Sequence, residues 1–508
     1  MPQFSQEILG PEPDIDFIGL HNFTEGKTLL DFFDSDNIYI IDKGNDYSYR
    51  EIYKTATLLA SYLLKEFSLS KGDRVVVRSE NSVEAITAVI AFWLLGCIPS
   101  LVMPLFREEE VNYILGHIEP KLYLVSNNLI AIGEGLSLQD AYKKSQVYAI
   151  NDFKPVAITP IDTAVILFTS GTTGKNKAAM ILHGELLANA LAYSSHVGLG
   201  SKDRFISPAS MAFSYGMGIF LSFPIVSNAS VVISNNARSL LKEALTYKCT
   251  VLFMVPTLYN IFITEQPQTL SELAQNGIIS KMVSAGENLS KVTFDYYQDV
   301  FGIGIINGLG ATEMTHIFLS NKSPAESNSL GFPLEGYTIE LRDGENKIIT
   351  KDQEVGYLHV KGITGCKYFR DQRQELYVTL DNFNKTNDLL FRRNGEYFYH
   401  SRADEMIITA GYNVSPYEIE DCIKKIPGVE EVLVCSQPDL LRNFVIAAYI
   451  KVTPGYELKE SDITKYVKDE LAPYKYPRAI FFVQDFPRTA SGKLKRTSLK
   501  TGHFYNEI

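Results

Sequence analysis

Short runs of β-branched and aromatic residues alternate along the chain with longer segments whose apolar positions recur at helical spacing. The runs lie at 74–78 (RVVVR), 121–125 (KLYLV), 164–168 (AVILF), 230–234 (SVVIS) and 250–255 (TVLFMV). Their alternation with helix-period segments predicts α/β layers built on largely parallel sheets. From Gly331 to Arg402 the texture changes to short strands with turn signals such as RDGENK and RRNGEYFY, which predicts a small β-rich subdomain. After Arg402 a βαββα-like stretch ends in a lysine-rich tail, the size of a separate α+β domain. The expected fold class is therefore α/β. A large N-terminal multi-layer domain (1–402, with the β-rich subdomain at 331–402) precedes a smaller α+β C-terminal domain (403–508).

One run tests this reading. Ala85 to Phe106 passes 22 residues without a charge, long enough for a membrane span. Gly96 and Pro99 split it, so a helix from Val83 to Leu95 followed by a buried strand at Ser100 to Met103 accounts for it, and no membrane partner is expected. The length of 508 residues calls for two or three domains. A net charge of −11 argues against a nucleic-acid surface. The five cysteines form no CxxC pair, and the N-terminus lacks the basic-then-apolar order of a signal peptide, so a cytoplasmic protein is expected.

The chemistry concentrates at Ile166 to Lys177, ILFTSGTTGKNK, which has the glycines, hydroxyls and lysines of a phosphate loop directly after an apolar strand. A Walker A loop needs four residues between its glycines, then Gly-Lys-Ser/Thr; here two separate Gly171 from Gly174, and Asn176 follows Lys175. That reading fails. The physics survives, because glycines let the backbone approach an anion, hydroxyls donate to it and a lysine supplies a point charge.

The loop resembles the TSGTTGxPKG signature of the AMP-forming adenylate ligases: acyl- and aryl-CoA synthetases, peptide-synthetase adenylation domains and luciferases. The resemblance continues in order through MVPTLYN (254–260), SAGE (284–287), NGLGATE (307–313), KTND (385–388), SRADEMI (401–407), SPYEIE (415–420) and PRTASGKLKR (487–496). Asn176 stands in place of the signature proline, Tyr357 in place of the glutamate of GEL, and Ser401 in place of the glycine before the hinge arginine.

The resemblance implies that a substrate carboxylate attacks the α-phosphate of ATP and that a thiol then displaces AMP. It places Thr169, Ser170, Gly171, Thr172, Thr173, Gly174 and Lys177 on the β- and γ-phosphates. Thr312 becomes an α-phosphate donor and Glu313 the Mg2+ carboxylate. Ala285, Gly286 and Glu287, with Asn307, Gly308, Leu309, Gly310 and Ala311, sandwich adenine. Asp388 takes the ribose hydroxyls, and Arg402 and Lys493 join the catalytic set. Asp404 is the implied hinge.

The implied acyl pocket draws on Phe213, Tyr215, Gly216, Ala285, Gly310 and His316. VPTLYN, SAGE and ATEMTHIFLSN look closest to benzoate-type ligases, which makes a small aromatic acid the first expectation and a short or medium aliphatic acid the second. FSYGMG lacks an aspartate to pair with an ammonium, which disfavours an α-amino acid. Lys475 and Arg478, in APYKYPR, are expected on the thiol-acceptor side, meeting phosphates of coenzyme A or of a carrier protein's phosphopantetheine. Two rivals stand beside the CoA ligase: a stand-alone enzyme loading a carrier protein, and a catalytically silent nucleotide-binding regulator. A dehydrogenase is disfavoured because no GxGxxG opens the first βα turn.

Overall fold

The computed structural model describes residues 17–148, 153–169, 176–287, 289, 291–365, 367–371, 382–402, 407–409, 412–414, 416–439, 443–486 and 499. Two sheets form the large N-terminal domain. In the first, nine strands run in the order Phe332–Pro333, Ile317–Ser320, Ile305–Gly310, Lys281–Ser284, Val251–Met254, Arg204–Ser207, Ser230–Ile233, Ile38–Asp42 and Asn45–Ser48. The second has seven, in the order Lys367–Tyr368, Lys177–Leu182, Thr163–Thr169, Ile98–Val102, Arg74–Arg78, Leu122–Val125 and Leu136–Ser137. Their central pairings are parallel and antiparallel strands sit at the edges. The α/β expectation holds.

The charge-free run resolves as expected in kind. Val83–Leu94 is a helix with Ser82 capping Ala85, and every residue in it but Glu84 is buried, which explains an apolar surface all round. The strand begins at Ile98 rather than Ser100. Pro99 is tolerated because the ladder to Thr163–Thr169 starts only at Ser100, so its missing N–H interrupts little on that side. Among the described residues no helix is long and apolar enough to cross a membrane.

The β-rich stretch is a four-stranded antiparallel sheet, Tyr337–Arg342, Gly356–Gly362, Asn384–Arg393 and Glu396–Arg402. Beyond it a smaller C-terminal domain builds its own apolar core around Ile419, Val434, Ile450 and Val467. Its order is a hairpin (Ile407–Thr409, Tyr412–Val414), a helix (Pro416–Ile423), two strands (Val429–Asp439, Asn443–Val452), a helix (Glu460–Glu470) and a strand (Ala479–Val483).

Candidate active site

The strand Thr163–Thr169 ends at the phosphate-type loop, and Lys177–Leu182 returns antiparallel with Thr169 opposite Lys177. Ser170, Gly171, Thr172, Thr173 and Gly174 lie outside the described residues. Thr169 Oγ1 is buried with no partner among the described residues, and Thr169 lines a cavity.

Lys177, expected among the phosphates, is buried. Its Nζ lies 2.8 Å from Tyr368 Oη and 3.3 Å from Glu313 Oε1. Tyr368 is brought there by the short edge strand Lys367–Tyr368, which pairs with Lys177–Leu182 in the register Tyr368↔Ala179. Its hydroxyl donates to Glu313 Oε1 at 2.6 Å. Lysine, phenol and carboxylate thus form one hydrogen-bonded group. Burial acts to raise the Glu313 carboxyl, but the Lys177 charge and the Tyr368 hydroxyl outweigh it and hold the group below its ordinary range. Glu313 is therefore an ionised oxygen donor with a quarter of its side chain exposed, a donor that fits a hard cation.

The next residues turn sharply. Thr312–Met314 is a single 3-10 turn, and Thr315 follows at φ 71°, ψ −51°. The His316 N–H donates to Met314 O at 2.8 Å, closing a γ-turn around a β-branched residue in the left-handed region. This turn separates Glu313 from His316. His316 Nδ1 accepts from the Ile317 N–H at 2.7 Å, so Nε2 carries the proton and donates to Tyr215 O at 3.1 Å. Burial pushes its pKa down to about 4. The ring is neutral, fixed and fully committed to backbone.

Tyr215, Ser214 and Phe213 approach from the helix Ser214–Met217 and its N-terminal flank. The Tyr215 hydroxyl donates toward Met254 O at 3.3 Å, tying it to a strand end, while its ring tilts against His316 at 5.5 Å. Ser214 Oγ lies 3.3 Å from Thr312 Oγ1. These residues line a cavity of about 150 Å³ together with Ala285, Gly286, Gly310 and Ala311. That volume is of the order that admits a benzene ring. Of the six expected acyl-pocket residues, Phe213, Tyr215, Ala285, Gly310 and His316 line it. Gly216 does not, because a Cβ there would lie 2.1 Å from Ser210 O and so faces backbone.

Three features escaped the sequence reading. Phe106 and Phe168 line the cavity as apolar wall, and Tyr474 reaches it from the C-terminal domain. Tyr474 stacks on Tyr412 with centroids 3.8 Å apart, and Tyr412 meets Phe213 edge-on at 5.8 Å. The two hairpin residues Ile407 and Val414 are buried in the C-terminal core, which leaves Tyr412 at the hairpin's outer end to make this contact.

Lys475, expected on the thiol-acceptor side, is buried, and its ammonium donates to Glu110 Oε1 and, at 2.7 Å, to Glu418 Oε1. Arg478 is exposed and lies over the Tyr476 ring at 4.8 Å.

On the expected nucleotide side, Ala285 and Gly286 follow the strand Lys281–Ser284, and Asn307 to Gly310 end the strand Ile305–Gly310. Both are C-terminal strand ends, where ligands of open α/β sheets bind. Glu287 follows Gly286 in the same loop, and Gly308 and Leu309 complete the second strand. Asn307 donates from Nδ2 to Asn328 O, while its buried Oδ1 has no partner among the described residues. Asp388 and Arg402 face each other as register partners on adjacent strands, and Asp388 N–H donates to Thr386 Oγ1. Asp388 is not among the described residues that line the cavity above. Asp404 and Lys493 lie outside the described residues.

Comparison with known proteins gives these residues a context. The AMP-binding enzyme family matches residues 33–367, and the AMP-binding enzyme C-terminal domain matches residues 418–493. A benzoate–CoA ligase from Thauera aromatica is 28% identical over 501 residues, covering 94% of this chain and 94% of its own. Among solved structures, an o-succinylbenzoate CoA synthetase from Bacillus subtilis bound with its product analogue aligns over 93% of this chain and 97% of its own, with a TM-score of 0.82 at 22% identity. An anthranilate CoA ligase in complex with anthranoyl-AMP aligns over 94% and 97%, with a TM-score of 0.68 at 25% identity.

Proposed function

The chain belongs to the AMP-binding enzyme family, and on that premise we propose that it is an AMP-forming ligase joining a small aryl acid to the thiol of coenzyme A. The observation that carries the aryl reading is the benzene-sized cavity walled by Tyr215 and His316, with the Thr312–Glu313 turn on its border. The names of the benzoate and anthranilate ligases support the same substrate class.

In the first step a carboxylate oxygen of the acid bonds to the α-phosphorus of ATP, and the P–O bond to pyrophosphate breaks. Both reactants are anions, so the chain's task is to orient them and offset charge. Thr169 and Thr312 are proposed as hydroxyl donors to phosphate oxygens, with Lys177 as the nearby cation. Ser170 to Gly174, Lys493 and the hinge at Asp404 keep the roles their motifs imply, as do Asp388 and Arg402 on the ribose side. Glu313 would hold Mg2+ through a carboxylate oxygen, and the ion, when bound with ATP, neutralises phosphate charge. In the second step the thiol sulfur bonds to the acyl carbon and AMP leaves. His316, neutral and committed at both nitrogens, orients the ring of the acid and moves no proton.

We place the boundary between the large and small domains at residue 402, ahead of the separate core that starts at Ile407. The four described cysteines, Cys97, Cys249, Cys422 and Cys435, are buried thiols. The test is acid-dependent ATP–pyrophosphate exchange over a panel of aryl and aliphatic acids, followed by thioester detection with CoA and with a phosphopantetheinylated carrier protein. Exchange with benzoates and thioester with CoA is the expected result. Exchange with no carboxylate would leave the silent regulator.

A further inference from the structure

The helix that walls the cavity is not regular. Ser214–Met217 is α-helical, Gly218–Ser222 is a π-helical turn, and Phe223–Ser227 is α-helical again, in one unbroken run. The sequence dictates the irregularity. Pro224 has no N–H, and its ring crowds the carbonyl four residues back, so Phe220 O cannot take the bond that an α-helix would give it. The chain widens there instead, and the Phe223 N–H donates to Gly218 O, five residues back. Widened turns of this kind are rare and concentrate at functional sites.

This turn shapes the cavity. At 3.6 residues per turn, positions five apart in an α-helix point about 140° apart around the axis. The widened turn instead brings both ends of one five-residue step onto the same imidazole. A Cβ on Gly218 would lie 2.4 Å from His316 Cδ2, and the Phe223 ring meets His316 edge-on at 4.5 Å. His316 Nε2 then donates to Tyr215 O at 3.1 Å, in the first turn of the same helix. The π-helical turn thus fixes how that first turn is rotated, and with it the direction in which Phe213, Ser214 and Tyr215 reach the cavity.

The orphaned carbonyl is met from far along the chain. Tyr39, in the strand Ile38–Asp42, donates from Oη to Phe220 O at 2.8 Å across 181 residues. It is fully buried and is not among the described residues that line the cavity. We propose that Tyr39 is a positioning residue for the acyl cavity: its hydroxyl replaces the N–H that Pro224 lacks, and so holds the π-helical turn that aims Tyr215 and seats His316. The inference rests on the proposed ligase activity. Without that hydroxyl a buried acceptor stands unpaired, and the turn shifts to find a donor, carrying Tyr215 with it.

The plain alternative is that Tyr39 only packs the core, where its ring stacks on Tyr49 with centroids 4.5 Å apart. Tyr49 supplies the control. It is equally buried, and its hydroxyl lies against Pro224 O and Ala229 O, beyond the π-helical turn, where Pro224 O also receives the Asn228 N–H. Tyr39→Phe and Tyr49→Phe each delete one buried hydroxyl and leave the ring, so both should lower the melting temperature to a similar extent. Only Tyr39→Phe should change the acid. In ATP–pyrophosphate exchange its KM for benzoate should rise about tenfold while its KM for ATP stays within about twofold of wild type. Adding Pro224→Ala restores an N–H four residues after Phe220 and should bring the benzoate KM back to within about threefold of wild type.

Equal changes in the benzoate KM of the two variants, a parallel rise in the KM for ATP, or no recovery with Pro224→Ala would overturn the proposal. A second readout does not depend on activity. Amide hydrogen exchange over residues 211–223, followed by mass spectrometry, should quicken in Tyr39→Phe and not in Tyr49→Phe. An unchanged rate in Tyr39→Phe overturns the proposal even where wild type activates benzoate. If wild type activates no carboxylate while the contrast between the two variants appears, the ligase reading fails and the role of Tyr39 in holding the cavity helix stands.

Discussion

Gly218 lies against the His316 ring so closely that a Cβ on it would fall 2.4 Å from imidazole Cδ2. Only glycine leaves room for the ring to keep its Nε2 bond to Tyr215 O. Gly218→Ala should therefore push the imidazole into the cavity. Overpacking costs about 1–3 kcal/mol, enough for roughly a tenfold rise in KM for the aryl acid. The KM for ATP should not move, since the phosphates are proposed to lie beyond Thr312. Steady-state exchange with each substrate varied in turn checks this; a parallel rise in both constants would remove His316 from the acyl wall.

Gly216, two residues earlier, behaves otherwise. Its missing side chain faces Ser210 O at 2.1 Å, a backbone atom that cannot step aside. Gly216→Ala should lower the melting temperature and reduce folded yield, and the folded remainder should discriminate among benzoates as wild type does. Altered acid preference with an unchanged melting temperature would contradict the placement.

Tyr368 holds Glu313 with a 2.6 Å hydrogen bond and accepts one from Lys177. Tyr368→Phe deletes both and leaves the ring. A hydrogen bond to a charged group contributes about 1.5–3 kcal/mol, so adenylation should fall by roughly 10- to 100-fold, with a higher Mg2+ concentration needed for half-maximal exchange. Titrating Mg2+ at fixed ATP and following nucleotide binding by calorimetry separates the two effects. Unchanged Mg2+ dependence would mean that Tyr368 does not orient the carboxylate.

These cases show what a linear reading reaches. Thr312, Glu313, Tyr215 and His316 sit in contiguous motifs whose turn chemistry is local, and they meet in the structure. Gly216 and Gly218 look interchangeable in FSYGMG, yet one faces backbone and the other an imidazole about a hundred residues away, a difference only tertiary packing creates. Tyr368 and Lys475 carry no periodicity or spacing signal. The first reaches Glu313 through an edge-strand register and the second reaches Glu110 across 365 residues. A lysine in APYKYPR reads as a solvated cation until its carboxylate partners are placed beside it.

Glu185 is fully buried, with Oε2 accepting the Leu182 N–H at 2.8 Å and Oε1 the Gly365 N–H at 2.7 Å. Burial outweighs both bonds and pushes its pKa up to about 7. The folded state therefore binds this proton more tightly than the unfolded chain does. Its stabilising effect is complete below the ordinary value near 4.5 and is lost as pH rises to about 7. At about 1.4 kcal/mol per unit the full effect is on the order of 3 kcal/mol. His183 and His316, with pKa values pushed down by burial to about 3 and about 4, act in the opposite sense as pH falls below 6.5. The clean measurement is the difference between wild type and Glu185→Gln in denaturant unfolding from pH 4.5 to 7.5. That difference should shift toward the variant as pH rises; a flat difference would place the Glu185 titration outside this window.

Thr315 offers the sharpest separation of stability from activity. A β-branched residue at φ 71°, ψ −51° costs about 1–3 kcal/mol in strain. Glycine would relieve it. Against that gain stand about 0.5–1 kcal/mol of extra chain entropy and roughly 0.8 kcal/mol for each buried methyl or methylene group lost. The terms nearly cancel, so Thr315→Gly should change stability by no more than about 1 kcal/mol. Activity should not be spared, because the turn sets the directions of Glu313 and His316 at once, the first toward Tyr368 and the second toward Tyr215. A glycine samples other conformations there and loosens both. Exchange should fall by roughly tenfold or more, as misplacement of oriented groups does, with both the Mg2+ requirement and the KM for the acid rising. Unfolding curves measured beside exchange kinetics decide the matter. Full activity in the variant would show that the γ-turn is incidental, and a stability loss well beyond 1 kcal/mol would show that the Thr315 side chain holds the fold instead.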